Sequence, residues 1–151
     1  MSIETQQAPR RDVRLANAAW ESLMTAHATL MGVFTAEKMW GEVSVREYDL
    51  LYTLAKRGEA MRICDIQSGV LLSQPALSRM IDRLVGRGML AREADPEDGR
   101  AVRVSLTPAG SDVQRRVGSA HAKSVAREVG DALTPDEQRE LDRLCRKLAG
   151  R

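Results

Sequence analysis

Two groups of polar and basic side chains between positions 73 and 103 carry hydrogen-bond donors and acceptors of the kinds that can pair with base edges and phosphates. In the first group, Gln74, Ser78 and Arg79 share the polar side of a predicted helix. A glutamine can pair with adenine and an arginine with guanine in the major groove, and both can instead contact phosphate. We predict that these residues face a groove because of the hairpin that follows, although a solvated polar face is the more common explanation when they are considered alone.

The second group lies in a turn between two short strand-like segments. Residues 95–100 read Asp-Pro-Glu-Asp-Gly-Arg, which is a turn composition, and Val102, Val104 and Leu106 then alternate with polar residues. At the tip, Arg100 can insert its guanidinium into a minor groove, where negative potential is concentrated. The simpler interpretation is a solvated hairpin tip. The turn resembles a calcium loop, but its twelfth residue is Leu106 rather than a bidentate glutamate, so we expect no metal.

An amphipathic helix is predicted to present the first group. Ser73 can cap the free N–H groups of its first turn, and the proline two positions later suits that turn. Glycines at positions 86 and 88 end it. Its buried face follows helical spacing: Leu77, Met80, Ile81, Leu84 and Val85. A helix followed directly by a hairpin with a basic tip is typical of a winged helix-turn-helix.

From Leu72 to Gly110, the order and spacing of these parts resemble the DNA-binding core of the MarR-family transcription regulators. The family pattern has a Leu-Ser helix start, an Arg-Gly-Leu-like exit, an Asp-x-Arg wing and a Leu-Thr-x-x-Gly restart. The corresponding segments here are Leu72-Ser73, Arg87-Gly88-Met89-Leu90, Asp98-Gly99-Arg100 and 106–110.

The resemblance implies roles for individual residues. Arg100 would contact the minor groove, and Asp98 would orient arginine and the backbone rather than meet DNA itself. Ser73 is expected to combine helix capping with a phosphate contact, and Arg103 is a further candidate for a phosphate contact.

Helices are also predicted on both sides of the amphipathic helix that Ser73 caps. Before it, an apolar-striped helix spans about Arg11 to Met39, a capping box at Ser44–Glu47 opens a second helix, and a short helix spans about 62–68. After the hairpin, a helix runs from position 108 to about 129, where Gly130 ends it. A second capping box at Thr134–Glu137 opens the last helix, which has an inward apolar stripe: Leu141, Leu144, Cys145 and Leu148.

The predicted fold class is mainly α with a small β-hairpin: a winged helix-turn-helix core flanked by N- and C-terminal dimerisation helices. The corresponding ranges are 1–43 for the N-terminal dimerisation region, 44–107 for the DNA-binding module and 108–151 for the C-terminal dimerisation helices. The end helices carry apolar stripes but have little core of their own. We therefore expect a second copy of the chain to cover them in a homodimer, as the resemblance also implies.

Composition excludes several other functions. The net charge is +2 and aromatic residues make up 3%, which argues against a polybasic coat protein and against single-strand binding by base stacking. Cys64 and Cys145 lie in different predicted helices without metal-ligand spacing, and both are expected to pack. With no catalytic constellation and no phosphate-binding glycine loop, we expect neither an enzyme nor a cofactor. The lack of a leader and of an apolar run of ~20 residues predicts a cytoplasmic protein outside the membrane.

The predicted function is sequence-specific regulation of transcription, with a repressor as the expected form. A homodimer would bind double-stranded DNA at a pseudo-palindromic operator, and a small aromatic effector would release it. Candidate effector-binding residues lie along one flank of the first helix, where core or dimer packing is the simpler explanation: Trp20, Met24, His27 and Met31. The alternative function is a winged-helix adaptor that binds protein, against which Arg79, Arg100 and Arg103 argue.

Overall fold

The computed structural model of this chain describes residues 12–68, 70 and 72–150, and confirms a mainly α fold with a small antiparallel sheet. The helices are α1 Val13–Ala36, α2 Val45–Arg57, α3 Ile63–Gln67, α4 Gln74–Gly86, α5 Pro108–Ala132 and α6 Pro135–Leu148. The strands are β1 Met61–Arg62, β2 Leu90–Ala94 and β3 Val102–Leu106, and a 3-10 turn spans Lys38–Trp40.

The chain divides into two compact units after Ala36. The first unit contains α1, a helix of 24 described residues. This helix ends earlier than the predicted Met39 because Glu37 adopts an extended conformation (φ −74°, ψ 151°) before the 3-10 turn. The predicted start near Arg11 lies outside the described residues. The second unit contains all the other elements.

The sheet has three strands in the order β1-β3-β2, where the sequence predicted only a hairpin. The hairpin itself is confirmed, with Leu90 opposite Leu106 and Ala94 opposite Val102. Strand β1 pairs antiparallel with β3 and places Arg62 opposite Arg103. A strand of two residues is too short to show periodicity, so the sequence could not reveal it.

The predicted capping residues are confirmed at the starts of α2, α4 and α6. In the first capping box, the Ser44 side chain accepts from Glu47 N at 3.2 Å and Glu47 Oε2 accepts from Ser44 N at 2.9 Å. The second box forms in the same way at Thr134. The prediction that Gly130 ends α5 is wrong, because the helix continues to Ala132. The helix ends shortly before Thr134. This residue precedes a proline, and the residue before a proline disfavours helical backbone.

The core of the second unit lies where α2, α3, α4 and the sheet meet. The predicted buried face of α4 is confirmed for four of its residues, and Val85 is half-buried. The main apolar side chains of this core are completely shielded from solvent: Leu50, Leu51, Ile66, Leu77, Ile81, Leu84 and Val104. This packing presents the opposite side of α4 to solvent.

The predicted inward stripe of α6 is not buried within this chain. Leu141 and Leu144 are each 43% exposed and Leu148 is 77% exposed, while Cys145 is half-buried. Cys64 is exposed as well, so the expectation that it packs is wrong. Helical spacing identified the apolar side of α6 but could not say whether the surface that covers it belongs to the same chain.

The junction between the hairpin and α5 depends on Gly110. Thr107 Oγ1 donates to the Gly88 carbonyl at 2.6 Å, and Thr107 N donates to the Met89 carbonyl at 3.1 Å. A Cβ added to Gly110 would lie 2.0 Å from that Met89 oxygen. Only glycine therefore allows the first turn of α5 to lie so close to the Met89 backbone.

We expect Gly110→Ala to lower the free energy of unfolding by about 1–3 kcal/mol, because backbone atoms must move apart to admit the methyl group. Gly130→Ala is the matched control, since nothing lies within 4 Å of its Cβ position on the same helix. The control should raise stability by up to about 1 kcal/mol. Urea denaturation followed by circular dichroism measures both, and equal effects would contradict the role of Gly110.

Candidate nucleic-acid interface

The N-terminal half of α4 presents the first group of predicted site residues together. Ser73 is the N-cap, and its Oγ accepts from Ala76 N at 3.4 Å. Gln74 and Arg79 are exposed and Ser78 is half-buried. Exposed donors and acceptors beside the positive end of a helix dipole form a surface suited to phosphates and base edges.

A buried carboxylate fixes the opposite end of α4. Glu47 is 7% exposed, and its Oε2 accepts from Arg87 Nη1 at 3.3 Å as well as from the capping N–H of Ser44. Arg83 Nε lies 3.8 Å from the other carboxylate oxygen. Arg87 also donates to the carbonyl of Glu42. These contacts tie the C-terminal end of α4 to the start of α2 and leave its N-terminal half at the surface.

The wing is the hairpin of β2 and β3, and two aspartates order its turn. Asp95 Oδ1 accepts from Glu97 N at 2.8 Å and from Asp98 N at 3.2 Å. Asp98 Oδ1 in turn accepts from Arg100 N at 3.0 Å. This contact supports the orienting role expected of Asp98. It leaves Arg100 exposed at the tip of the wing.

Most of the described arginines form a salt bridge with a carboxylate, and Arg79 and Arg100 differ from them in this respect. Neither forms a salt bridge with another residue that the structure describes, whereas Arg83, Arg87 and Arg92 all do. An exposed guanidinium without an internal carboxylate keeps its charge and its donors for an external anion. The sequence placed both of these arginines in the candidate site.

The structure places Arg103 in an internal cluster. Its Nε donates to Asp95 Oδ2 at 2.8 Å, and Arg62 Nε donates to the same oxygen at 2.6 Å. The side chain of Asp95 is completely buried, and the hydrogen bonds from Arg62 and Arg103 hold its pKa far below the usual range. A phosphate contact by Arg103 would therefore have to coexist with this ion pair. Sequence reasoning missed Asp95 and Arg62, because β1 gave no signal of its own.

The candidate effector residues on α1 are largely open to solvent. Trp20 is 59% exposed, Met24 is 39% exposed, His27 is exposed and Met31 is half-buried. They lie along one flank of α1, as their spacing predicts.

A separate cleft of about 750 Å³ lies between α2 and α5. It is lined by both tyrosines of the chain, Tyr48 and Tyr52, whose rings are 6.1 Å apart, and by His121, whose ring meets Tyr48 edge-on at 5.7 Å. Trp40 packs against Tyr48 and His121. Burial raises the pKa of the Tyr48 phenol. Sequence reasoning missed this cleft, because it forms only when α5 packs on α2.

Neither a membrane-spanning helix nor a cluster of metal-ligand side chains occurs among the described residues. Within ranges 12–68 and 72–150, no helix combines the length and apolar character needed to cross a bilayer. No group of three or more His, Cys, Asp or Glu side chains in the described part of the chain could hold a metal ion.

Comparison of the sequence with known families identifies one match. Residues 43–102 match the sequence profile of the MarR family. The chain is 36% identical over 101 residues to YkoM of Bacillus subtilis, described as an uncharacterised HTH-type transcriptional regulator. That stretch is 67% of this chain and 64% of YkoM, so the chain spans less than two thirds of the length of the curated relatives it matches.

Solved structures resemble the fold over more of the chain. Sco3205 from Streptomyces coelicolor, a MarR-family transcriptional regulator solved in complex with DNA, is similar with a TM-score of 0.77 and 26% identity, covering 95% of this chain and 91% of Sco3205. BpsR from Bordetella bronchiseptica is similar with a TM-score of 0.74 and 25% identity, covering 87% of this chain and 98% of BpsR. The DNA binding of BpsR is regulated by 6-hydroxynicotinic acid.

Proposed function

Because this chain belongs to the MarR family, we propose that it is a transcription regulator that binds double-stranded DNA. The observation that carries this proposal is that Arg79 on α4 and Arg100 on the wing are exposed and have no ion-pair partner among the described residues. The relatives are named as transcriptional regulators, which supports the expectation that the chain is not an enzyme. A regulator of this kind acts on the chromosome, in the cytoplasm.

The geometry supports two different contacts with DNA. The N-terminal half of α4 would enter the major groove, where Gln74, Ser78 and Arg79 contact base edges or phosphates and Ser73 contacts the backbone. Arg100 would enter the adjacent minor groove from the tip of the wing. With a net charge of only +2, the whole molecule attracts DNA weakly. Affinity must therefore come from the placement of these few side chains.

We further propose that the working form is a homodimer bound to a pseudo-palindromic operator. The exposed apolar stripe of α6 supports this, because Leu141, Leu144 and Leu148 lie in succession along one helix face. On α1, Val13 and Leu15 are each 68% exposed. A second copy would cover both surfaces and place two copies of α4 about one helical turn of DNA apart. Occupation of an operator in this way would repress transcription.

A small aromatic effector is the proposed signal. The cleft between α2 and α5 supports this with aromatic walls and hydrogen-bonding side chains at Tyr48, Tyr52 and Gln114. The candidates on α1, Trp20 and Met24 among them, are a second set of residues for the same role. The regulation of BpsR by 6-hydroxynicotinic acid supports an aromatic acid as the ligand class.

A winged-helix adaptor that binds another protein is the alternative function. Such a module would retain the fold of α4 and the wing but would have no use for unpaired arginines at the surfaces where a groove would lie. Arg79 and Arg100 therefore favour DNA over a protein partner.

Arg100→Ala should weaken operator binding by about tenfold or more, and Arg79→Ala should do so as well if it reads a base, because a good base contact contributes about 1–3 kcal/mol. If Arg79 contacts only phosphate, its loss should lower affinity uniformly and reduce the salt slope by about 1. Fluorescence polarisation separates these cases. It is measured at two salt concentrations with DNA from upstream of the protein's own gene, with operator variants and with random duplex as competitor.

Arg139→Ala is the control for these variants, since that arginine is exposed on α6 and pairs with Asp136. It should leave operator affinity unchanged. Equal, weak binding of the wild type to every duplex would favour the adaptor.

Leu144→Ser should weaken dimerisation by about tenfold or more, because burying one leucine contributes about 1.5–3 kcal/mol. Arg143→Ser, one position earlier on α6, is the control and should leave the dimer intact. Sedimentation equilibrium measures both, and the wild type should have twice the mass of one chain. A monomeric wild type at micromolar concentration would refute the dimer.

Binding of a hydroxylated aromatic carboxylic acid should lower operator affinity about fivefold or more, a typical coupling between two sites. Calorimetry with a panel of such acids measures binding, and two variants locate it: Tyr52→Ala abolishes it for a site in the α2–α5 cleft, and Trp20→Ala for a site on α1. The absence of heat across the panel would argue against effector control.

A further inference from the structure

We propose that Asp95 is a positioning residue that holds the wing on β1 and α3 and thereby sets where Arg100 meets DNA. The inference rests on the proposed DNA binding, and it adds an internal residue to the surface residues that read the operator.

Asp95 uses both oxygens of a completely buried carboxylate. Oδ2 accepts from the Nε atoms of Arg62 and Arg103, and Oδ1 accepts from the backbone N–H groups of Glu97 and Asp98. One side chain thus joins β1, β3 and the turn of the wing. Burying a charge without such partners would be strongly unfavourable, so the four donors must stay in place together.

The carboxylate also offsets the repulsion between two arginines on neighbouring strands. Arg62 and Arg103 lie directly opposite each other in the register of β1 and β3, and like charges in that position destabilise a sheet. Asp95 lies within hydrogen-bond distance of both. Since β1 has only two residues, its backbone ladder is short, and the ion pair supplies a second attachment. Arg62 is also the N-cap residue of α3, so the attachment reaches the helix-turn-helix itself.

A continuous series of hydrogen bonds connects this attachment to the tip of the wing. Asp95 holds the amide of Asp98, and Asp98 holds the amide of Arg100 through its side chain and that of Ala101 through its carbonyl. Asp95 N donates to the Ala101 carbonyl and closes the turn. Loss of the carboxylate would free the turn at its base, so that Arg100 would sample many positions before reaching the minor groove.

The test is a double-mutant cycle between Asp95→Asn and Arg100→Ala, measured as operator affinity by fluorescence polarisation. Asp95→Asn alone should weaken binding about tenfold, since it leaves buried donors without their acceptor. Because Asp95 acts through Arg100, the same change in the Arg100→Ala protein should cost less than about twofold. A full tenfold loss in both backgrounds would overturn the proposal.

Glu47→Gln is the matched control for this cycle. Glu47 is also a buried carboxylate with two arginine partners in the DNA-binding module, but it contacts α4 rather than the wing. Its loss should lower affinity by the same factor in the wild type and in Arg100→Ala. If Glu47→Gln were coupled to Arg100→Ala as strongly as Asp95→Asn is, then any weakening of the module would be enough to produce the coupling. That result would overturn the proposal.

Amide hydrogen exchange of the free protein provides a readout that does not need DNA. In Asp95→Asn, the amides of Glu97, Asp98 and Arg100 should exchange faster while those of α5 stay unchanged. If the wild type binds no duplex, the DNA-binding proposal fails, and exchange still decides whether Asp95 orders the wing. Unchanged exchange in the turn would overturn the inference.

Arg62→Gln is the second variant, for the case that Asp95→Asn does not fold. It removes the link to β1 while Arg103 and the two turn amides stay bound to the carboxylate. It should show the same coupling to Arg100→Ala with a smaller loss of affinity. Independence of the two substitutions would overturn the role of the link.

Discussion

A carboxylate can be buried only where cations and N–H donors replace the water it loses, and this requirement shapes the whole DNA-binding module. Its described residues include two buried carboxylates, Glu47 and Asp95, and each has two arginines and at least one backbone amide around it. Glu47 joins α2 to the end of α4, and Asp95 joins β1 and β3 to the turn of the wing. The two surfaces proposed to contact DNA are thus each attached to the rest of the module through a buried carboxylate.

The same pairing explains how a nearly neutral chain can offer a specific cationic surface. Most arginines of the described module have a carboxylate partner, which cancels their long-range field. Arg79 and Arg100 have no such partner among the described residues, and they are exposed at two separate points. The positive charge available to DNA is therefore set by which arginines remain unpaired, and the net charge of the chain says little about it.

Local signals in the sequence were sufficient for most of the fold and for the exposed part of the site. Ser73, the two capping boxes and the apolar face of α4 act through neighbours within a few residues, so their consequences could be predicted. The pairing of Arg62 with Asp95 joins residues far apart in the chain through a strand of two residues, and no local pattern encodes it. Helical spacing likewise predicts that Leu144 lies on the apolar side of α6, but it cannot identify which surface, if any, covers that side.

The close approach of Gly110 to Met89 makes α5 a lever with its fulcrum at the short link between α4 and the wing. A helix of 25 residues is about 37 Å long at 1.5 Å per residue. A shift of about 3 Å at its far end therefore corresponds to a tilt of only about 5° at Gly110. Since a Cβ at position 110 would lie only 2.0 Å from the Met89 oxygen, the two backbones are in direct contact, and that tilt has no side chain between them to absorb it. Large movements at the distant end would reach the link between α4 and the wing as small, well-defined rotations.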